Sequence, residues 1–353
     1  MPSFEHGVVT DILVERKGLQ RVLVDLGKDD PERAYVLTQL TGDVAVGDPV
    51  VVNTTAVELG LGTGGWHVVH WNLARKGWSE PGPGHILKAR YTSLQADVGS
   101  SEEHWVELVD IDHIDGMPVV AAALHSQLPA VAAAYKAAAP EGRLAYVMTD
   151  GAALPIALSD LVAEVRELGL LDATITCGHA FGGDYEAVNV YSALAVARHV
   201  AHADAAVVVM GPGIVGTATR LGFTGMEVGP ILDAAASLNG RPIACLRASF
   251  ADPRERHQGV SHHTLTALRV GCRSRVEIAL PTVGGEEEAR LRADLEAGAL
   301  GSWHKIVAVP PPGALNLLAA HGIEVRSMGR PAAADPVLFE CAAAAGALAA
   351  TST

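Results

Sequence analysis

The chain has 353 residues, 49% hydrophobic and 19% charged, with a formal net charge of −14 and a mean hydropathy of +0.24. That length exceeds one small core and predicts two domains, while the acidity excludes general nucleic-acid binding, which needs a basic face. No run reaches the roughly 18 uninterrupted apolar residues of a membrane span, and the start MPSFEHGVV lacks the basic and apolar regions of a signal peptide.

A cytoplasmic globular protein with no membrane partner is therefore expected. Cys177, Cys245, Cys272 and Cys341 show no CxxC spacing and read as buried, reduced thiols. Much of the apolar excess is alanine, which packs helices closely and leaves surface for a homo-oligomer.

Residues 1–80 hold five short runs of period-two alternation: GVVTDILVER, LQRVLVDLG, RAYVLTQL, DPVVVNTTAV and WHVVHWNL. Without a convincing helix among them, they predict a small β-barrel-like domain. LGLGTGG (59–65) reads as a hairpin or loop, because no helix pattern follows it. The stretch SEPGPGH (79–85) cannot continue a regular element and marks the boundary.

Residues 81–353 are expected to form a Rossmann-like α/β domain, with a mainly parallel sheet and helices on both faces. From Met117 onward, apolar runs such as PVVAAALH, RLAYVMT, ATITC, AAVVVM, PIACL, VEIALP and KIVAVP alternate with helical segments. Strands that are apolar throughout fit a sheet covered on both sides. Ser159 and Ser261 are N-cap candidates, and Asp335-Pro336 opens a C-terminal helix that should dock on the sheet or on a second subunit.

In such a sheet the loops after the strands collect at one edge, where open α/β sheets bind ligands. Four of them carry chemistry: Asp150 after AYVM; Gly178 to Asp184 after TITC; Gly211 to Thr217 after VVVM; and RASFADPRERHQGVSHHT (247–264). The last is the densest. Between Arg241 and Arg275 seven arginines face two acids, which points to an anion site built from guanidinium forks.

Arg247, Arg254 and Arg256 are the candidate anion-holding side chains, with backbone amides of Gly211, Gly213, Gly216 and Thr217 as a nest. His179, His257 and His263 are candidates for proton transfer, with Asp150, Asp184 or Asp252 orienting an imidazole or binding metal. His179, Asp184 and His262 are candidate ligands for a divalent metal. GPGIVGT formally matches G-x-G-x-x-G, but TATRLGFTG breaks at Gly222 within two turns and the next acid, Glu227, stands in a glycine-rich turn, so NAD and FAD are disfavoured. Neither a G-x-S-x-G elbow nor a P-loop is present.

Taken together, GHILKARYTSLQ, VMTDGAALP, TCGHAFGGDYEAVNVYSAL, VMGPGIVGTATRLGFTG, RASFADPRERHQGVSHHTLTAL and VRSMGRP resemble a bacterial, actinobacterial-type family of unknown function, family 3866. The likeness spans nearly the whole chain. It implies a bacterial cytosolic protein and carries over no reaction and no catalytic residue. The expectation from the residues is an uncharacterised hydrolase or transferase acting on an anionic small molecule. The rival readings are a non-catalytic metabolite-binding or regulatory module and an oligomeric assembly protein.

Overall fold

A computed structural model describes residues 2–61 and 64–351. It divides into two compact units at Gly99–Ser100. The division falls later than the 80/81 expected from SEPGPGH, because residues 81–99 fold back on themselves. Leu87–Lys88 pairs with Ala96–Asp97, and the backbone of Gly82 lies so close to Asp97 that a side chain there would collide with it.

The first unit is the expected barrel. Strands β1 (Phe4–Arg16), β2 (Leu19–Asp25), β3 (Glu32–Val36), β4 (Pro49–Asn53) and β5 (His67–Asn72) close in the order β1-β2-β3-β5-β4, with β3 and β5 parallel. Alternation explains it: Val22, Val24, Ala34, Val36, Val50, Val52 and Val69 point inward and form the core. Outside, Tyr35 stacks on Trp66 at 4.8 Å, and the Arg21 and Arg33 guanidiniums lie over these rings. The loop proposed at 59–65 includes Gly62 and Thr63, which lie outside the described residues.

The second unit is the expected α/β domain. Its eight strands are β6 (Pro118–Ala121), β7 (Leu144–Met148), β8 (Ala173–Thr176), β9 (Tyr185–Glu186), β10 (Ala205–Val208), β11 (Arg241–Cys245), β12 (Glu277–Pro281) and β13 (Lys305–Val309). They run parallel in the order β9-β8-β7-β10-β6-β11-β12-β13. Successive residues serve opposite faces. Val120, Leu144, Tyr146 and Val207 pack under one helix layer, whereas Val119, Ala145, Val147 and Ala206 pack under the other.

The first layer contains α1 (Leu128–Ala138) and α2 (Asp160–Glu167), and the second contains α3 (Val190–Ala195), α4 (Val228–Ser237), α5 (His262–Thr266) and α6 (Gly285–Ala297). Helix α7 (Ala314–Ala320) joins the first layer, as does α8 (Pro336–Ala349), which packs against α1 and the sheet. Gly346 permits that approach, since a Cβ there would stand 2.1 Å from the Val131 carbonyl oxygen.

Ser159 and Ser261 cap α2 and α5 as their positions suggested, accepting from the amides of Val162 and His263. Asp335 precedes α8 but does not cap it with its side chain. Its carboxylate accepts from Ser249 Oγ at 2.6 Å and Arg330 Nη2 at 3.3 Å instead. No helix among the described residues is long and apolar enough to cross a membrane.

Candidate functional site

The strand order creates a place for a ligand. β7 leads outward to β8, while its neighbour β10 leads back across β6 to β11, so adjacent connections part at the C-terminal edge. The loops gather there. The His179 amide donates to Asp150 Oδ2 at 2.9 Å, joining the β7 and β8 loops, and Gly178 leaves room for that carboxylate. Ala153 N donates to the Pro212 carbonyl at 3.1 Å, joining the β7 and β10 loops. Phe223, from the β10 loop, stacks flat on His263 of the fourth stretch, with centroids 3.7 Å apart and ring planes within 1°.

The 247–264 stretch folds around its own charges. Asp252 is buried and takes Arg254 Nε at 2.8 Å and Nη2 at 2.7 Å, with Arg330 Nη2 at 3.5 Å. Arg254 is thereby committed to a carboxylate, and the closing VRSMGRP segment is tied to the site through Arg330.

Arg247 differs. It is 4% exposed, and its Nη1 donates to His263 Nδ1 at 2.8 Å. Among the described residues it forms no ion pair with a carboxylate. Burial and the neighbouring Arg254 pull its pKa down to about 10.

His257, His262 and His263 offer ring nitrogens within 4.8 Å of one another. His257 Nδ1 lies 2.7 Å from Ser261 Oγ, and His262 Nε2 is a buried nitrogen with no hydrogen-bond partner. Burial first, and then the Arg247 guanidinium, push His257 down to about 3 and His263 to about 2. His262 is lowered as well, by burial and then Arg256. All three rings are neutral near pH 7 in a field of positive charge.

Beside them opens a pocket of ≈ 560 Å³ lined by Arg220, Arg256, Arg269 and His262. None of these arginines forms an ion pair among the described residues. Asp294, on the same wall, is occupied by Arg290 Nε at 2.8 Å and the Val260 amide at 2.9 Å. Arg256 thus lines an open pocket beside the imidazole cluster.

The glycine-rich loop behaves differently from the expected nest. Gly216 bridges to Phe223, and the Thr217 amide donates to the Gly222 carbonyl at 2.8 Å, making a hairpin. Helix α4 begins only at Val228, so no helix N-terminus follows Gly216. Gly211 is buried against Ala153, and Gly213 turns the chain with φ +107. The hairpin instead carries Arg220 to the pocket and Phe223 to His263.

Asp184 has another task. Its carboxylate is paired with Arg166 and accepts from Thr174 N at 2.8 Å and Thr174 Oγ1 at 3.0 Å, which fastens the edge strand β9 to β8. It is not brought to the imidazole cluster.

Two residues were given no role from the sequence. Glu227, one turn beyond Phe223, accepts from Thr149 Oγ1 at 2.7 Å, and burial pushes its carboxyl up to about 7, with the nearby Asp150 charge adding to the rise. His125, after β6, places Nδ1 3.2 Å from the Met210 carbonyl and Nε2 2.7 Å from Ser159 Oγ. Its signal was available: LHSQLP is also a strand-to-helix connection. Burial lowers His125 to about 4.

The family model described as "Protein of unknown function (DUF3866)" matches residues 33–346. The chain belongs to this family. Comparison with curated proteins and with solved structures gave no match. The match to DUF3866 covers most of the barrel domain, from β3 onward, and nearly all of the α/β domain, including every residue of the loop cluster.

Proposed function

We propose that the C-terminal rim of the sheet is an enzyme site for an anionic small molecule, a phosphorylated or carboxylated metabolite, and that the reaction is hydrolysis or group transfer. The observation carrying this reading is Arg247, a buried guanidinium that leans on a neutral imidazole instead of a carboxylate. Buried charges are ordinarily paired, so a ligand anion is the natural counter-charge. Arg220, Arg256 and Arg269 supply further unpaired guanidinium groups in the adjoining pocket.

Glu227, poised near neutrality, suits general acid–base work, and neutral His263, whose Nδ1 accepts from Arg247, carries its proton on Nε2 and can donate a hydrogen bond from there. A dinucleotide fits less well, because the glycine loop closes into a hairpin where a phosphate-binding helix should begin.

A divalent metal held by His257, His262 and His263 is a second reading, supported by their 4.8 Å grouping and by the unpartnered His262 Nε2. Against it stands Arg247, which engages the His263 lone pair and repels a cation. The ligands would also be these three imidazoles rather than His179 and Asp184.

A thermal-shift series with inorganic phosphate, pyrophosphate and citrate tests the anion reading. At a concentration about 100 times Kd, one of these should stabilise the protein by about 2.7 kcal/mol, and Arg256→Ala together with Arg269→Ala should abolish the shift. Equal shifts in wild type and double variant would remove the pocket from consideration.

A further inference from the structure

A second cluster lies at the opposite, N-terminal edge of the sheet, away from the arginine-rich rim. His113 and Asp115 precede β6, and His199 lies in the π turn Val196–Val200 that precedes β10. Donor atoms of the three residues lie within 4.8 Å of one another. From His113, Asp115 and His199 we infer a binding site for a zinc-class divalent cation, with two imidazoles and one carboxylate as ligands and water completing the shell.

The surroundings are arranged as those of metal ligands usually are. His199 Nε2 lies 2.9 Å from the His113 backbone carbonyl, to which it donates, so the lone pair of the neutral ring is on Nδ1. Ligand histidines are commonly oriented by such a bond from the other ring nitrogen. Asp115 is fixed differently, by ion pairs that a bound cation would have to share or displace. Its Oδ2 faces Arg198 Nε at 3.4 Å, while Oδ1 lies 2.9 Å from His113 Nδ1.

Donors in a tetrahedral site with bonds of about 2.0–2.1 Å stand about 3.3 Å apart. His113 Nδ1 and Asp115 Oδ1 already stand 2.9 Å apart, in a hydrogen bond whose proton a bound cation would replace, while the other spacing is wider. Rotation of exposed side chains can close the wider one, since His113 and Asp115 are 43% and 47% exposed.

The backbones are fixed beforehand. Ile114 is fully buried, and the amides of Ile114 and Gly116 donate to the carbonyls of Leu238 and Asn239. Asp115 sits in a left-handed conformation, φ +51, which aspartate tolerates better than most residues. His199 is placed by a π turn closed by the Ala201 N to Val196 O bond, a local irregularity often found at functional positions. Two imidazoles with one carboxylate favour zinc, cobalt or nickel over calcium or magnesium, which prefer oxygen shells.

Calorimetric titration of the full chain with zinc chloride tests the site, using His262→Ala/His263→Ala protein to silence the other histidine cluster. One equivalent is expected to bind at about pH 7.5, with excess magnesium having no effect. Asp115→Asn and His199→Gln, both on a half-exposed edge where folding should survive, should each weaken binding by at least ~10-fold. No stoichiometric binding to the double-alanine protein, or binding unchanged by Asp115→Asn and His199→Gln, would overturn the assignment.

Discussion

Asp252→Asn is expected to destabilise the protein by about 1–3 kcal/mol, the range for unpairing a buried polar group whose partner, Arg254, remains open to solvent. The carboxylate is 1% exposed as a residue and binds Arg254 through two nitrogens, with Arg330 behind it. It is held far below the usual carboxylate range, mainly by the hydrogen bond from Arg254. Without it, exposed Arg254 loses its partner, half-buried Arg330 keeps only Asp335, and buried Arg247 has less compensating charge nearby. The midpoint of urea unfolding reads the loss. Arg290→Ala, which removes an exposed pair with Asp294 one helical turn away, serves as the control and should cost well under that amount. Equal midpoints for wild type and Asp252→Asn would mean that the acid does not hold the stretch together.

The second large effect is acid sensitivity. His125, His257 and His263 have folded pKa values of about 4, 3 and 2, against an ordinary 6.5, and each is lowered chiefly by burial. Below pH 6.5 the unfolded chain takes up protons that the folded chain refuses, so stability falls as the pH falls. Each such histidine contributes a slope of at most about 1.4 kcal/mol per pH unit.

Glu227 acts in the opposite sense. Its carboxyl is raised from 4.5 to about 7, so protonation favours the folded state between those values. One carboxyl against three imidazoles leaves the net slope toward acid instability from pH 6.5 to about 4. Urea midpoints measured across that range should decline, and His125→Asn should flatten the decline. A midpoint that holds steady or rises on acidification would contradict the buried, neutral histidines.

The architecture was legible because strand burial leaves different marks in the two units. Period-two alternation in residues 1–80 signals one buried face per strand, as Val22 and Val24 show in the barrel. Continuous runs such as LAYVM signal two buried faces, as Leu144 and Ala145 show on opposite sides of the sheet.

The candidate site was legible only where local order sufficed. Strand ends located Asp150, His179 and the arginine-rich stretch, but the partition of the arginines was hidden. Arg254 belongs to Asp252, two residues away, and Arg256 belongs to an open pocket. Nothing in the local sequence distinguishes them.

Glu227 was passed over because FTGME reads as turn; its role depends on Thr149, 78 residues earlier in the chain. Asp184 misled for the converse reason. The Gly-Gly before it suggests a free loop, whereas the residues after it pair as an edge strand.

The most direct test follows the ring protons of His257, His262 and His263 by NMR through a pH titration, with and without saturating inorganic phosphate. Without the anion, the three rings should stay neutral to well below pH 6.5. With phosphate beside Arg247 and Arg256, the guanidinium field is offset and their pKa values should move upward together, the movement disappearing in Arg256→Ala/Arg269→Ala protein. Three imidazoles that titrate near 6.5 from the outset, or that ignore phosphate at every pH, would contradict an anion site at this rim.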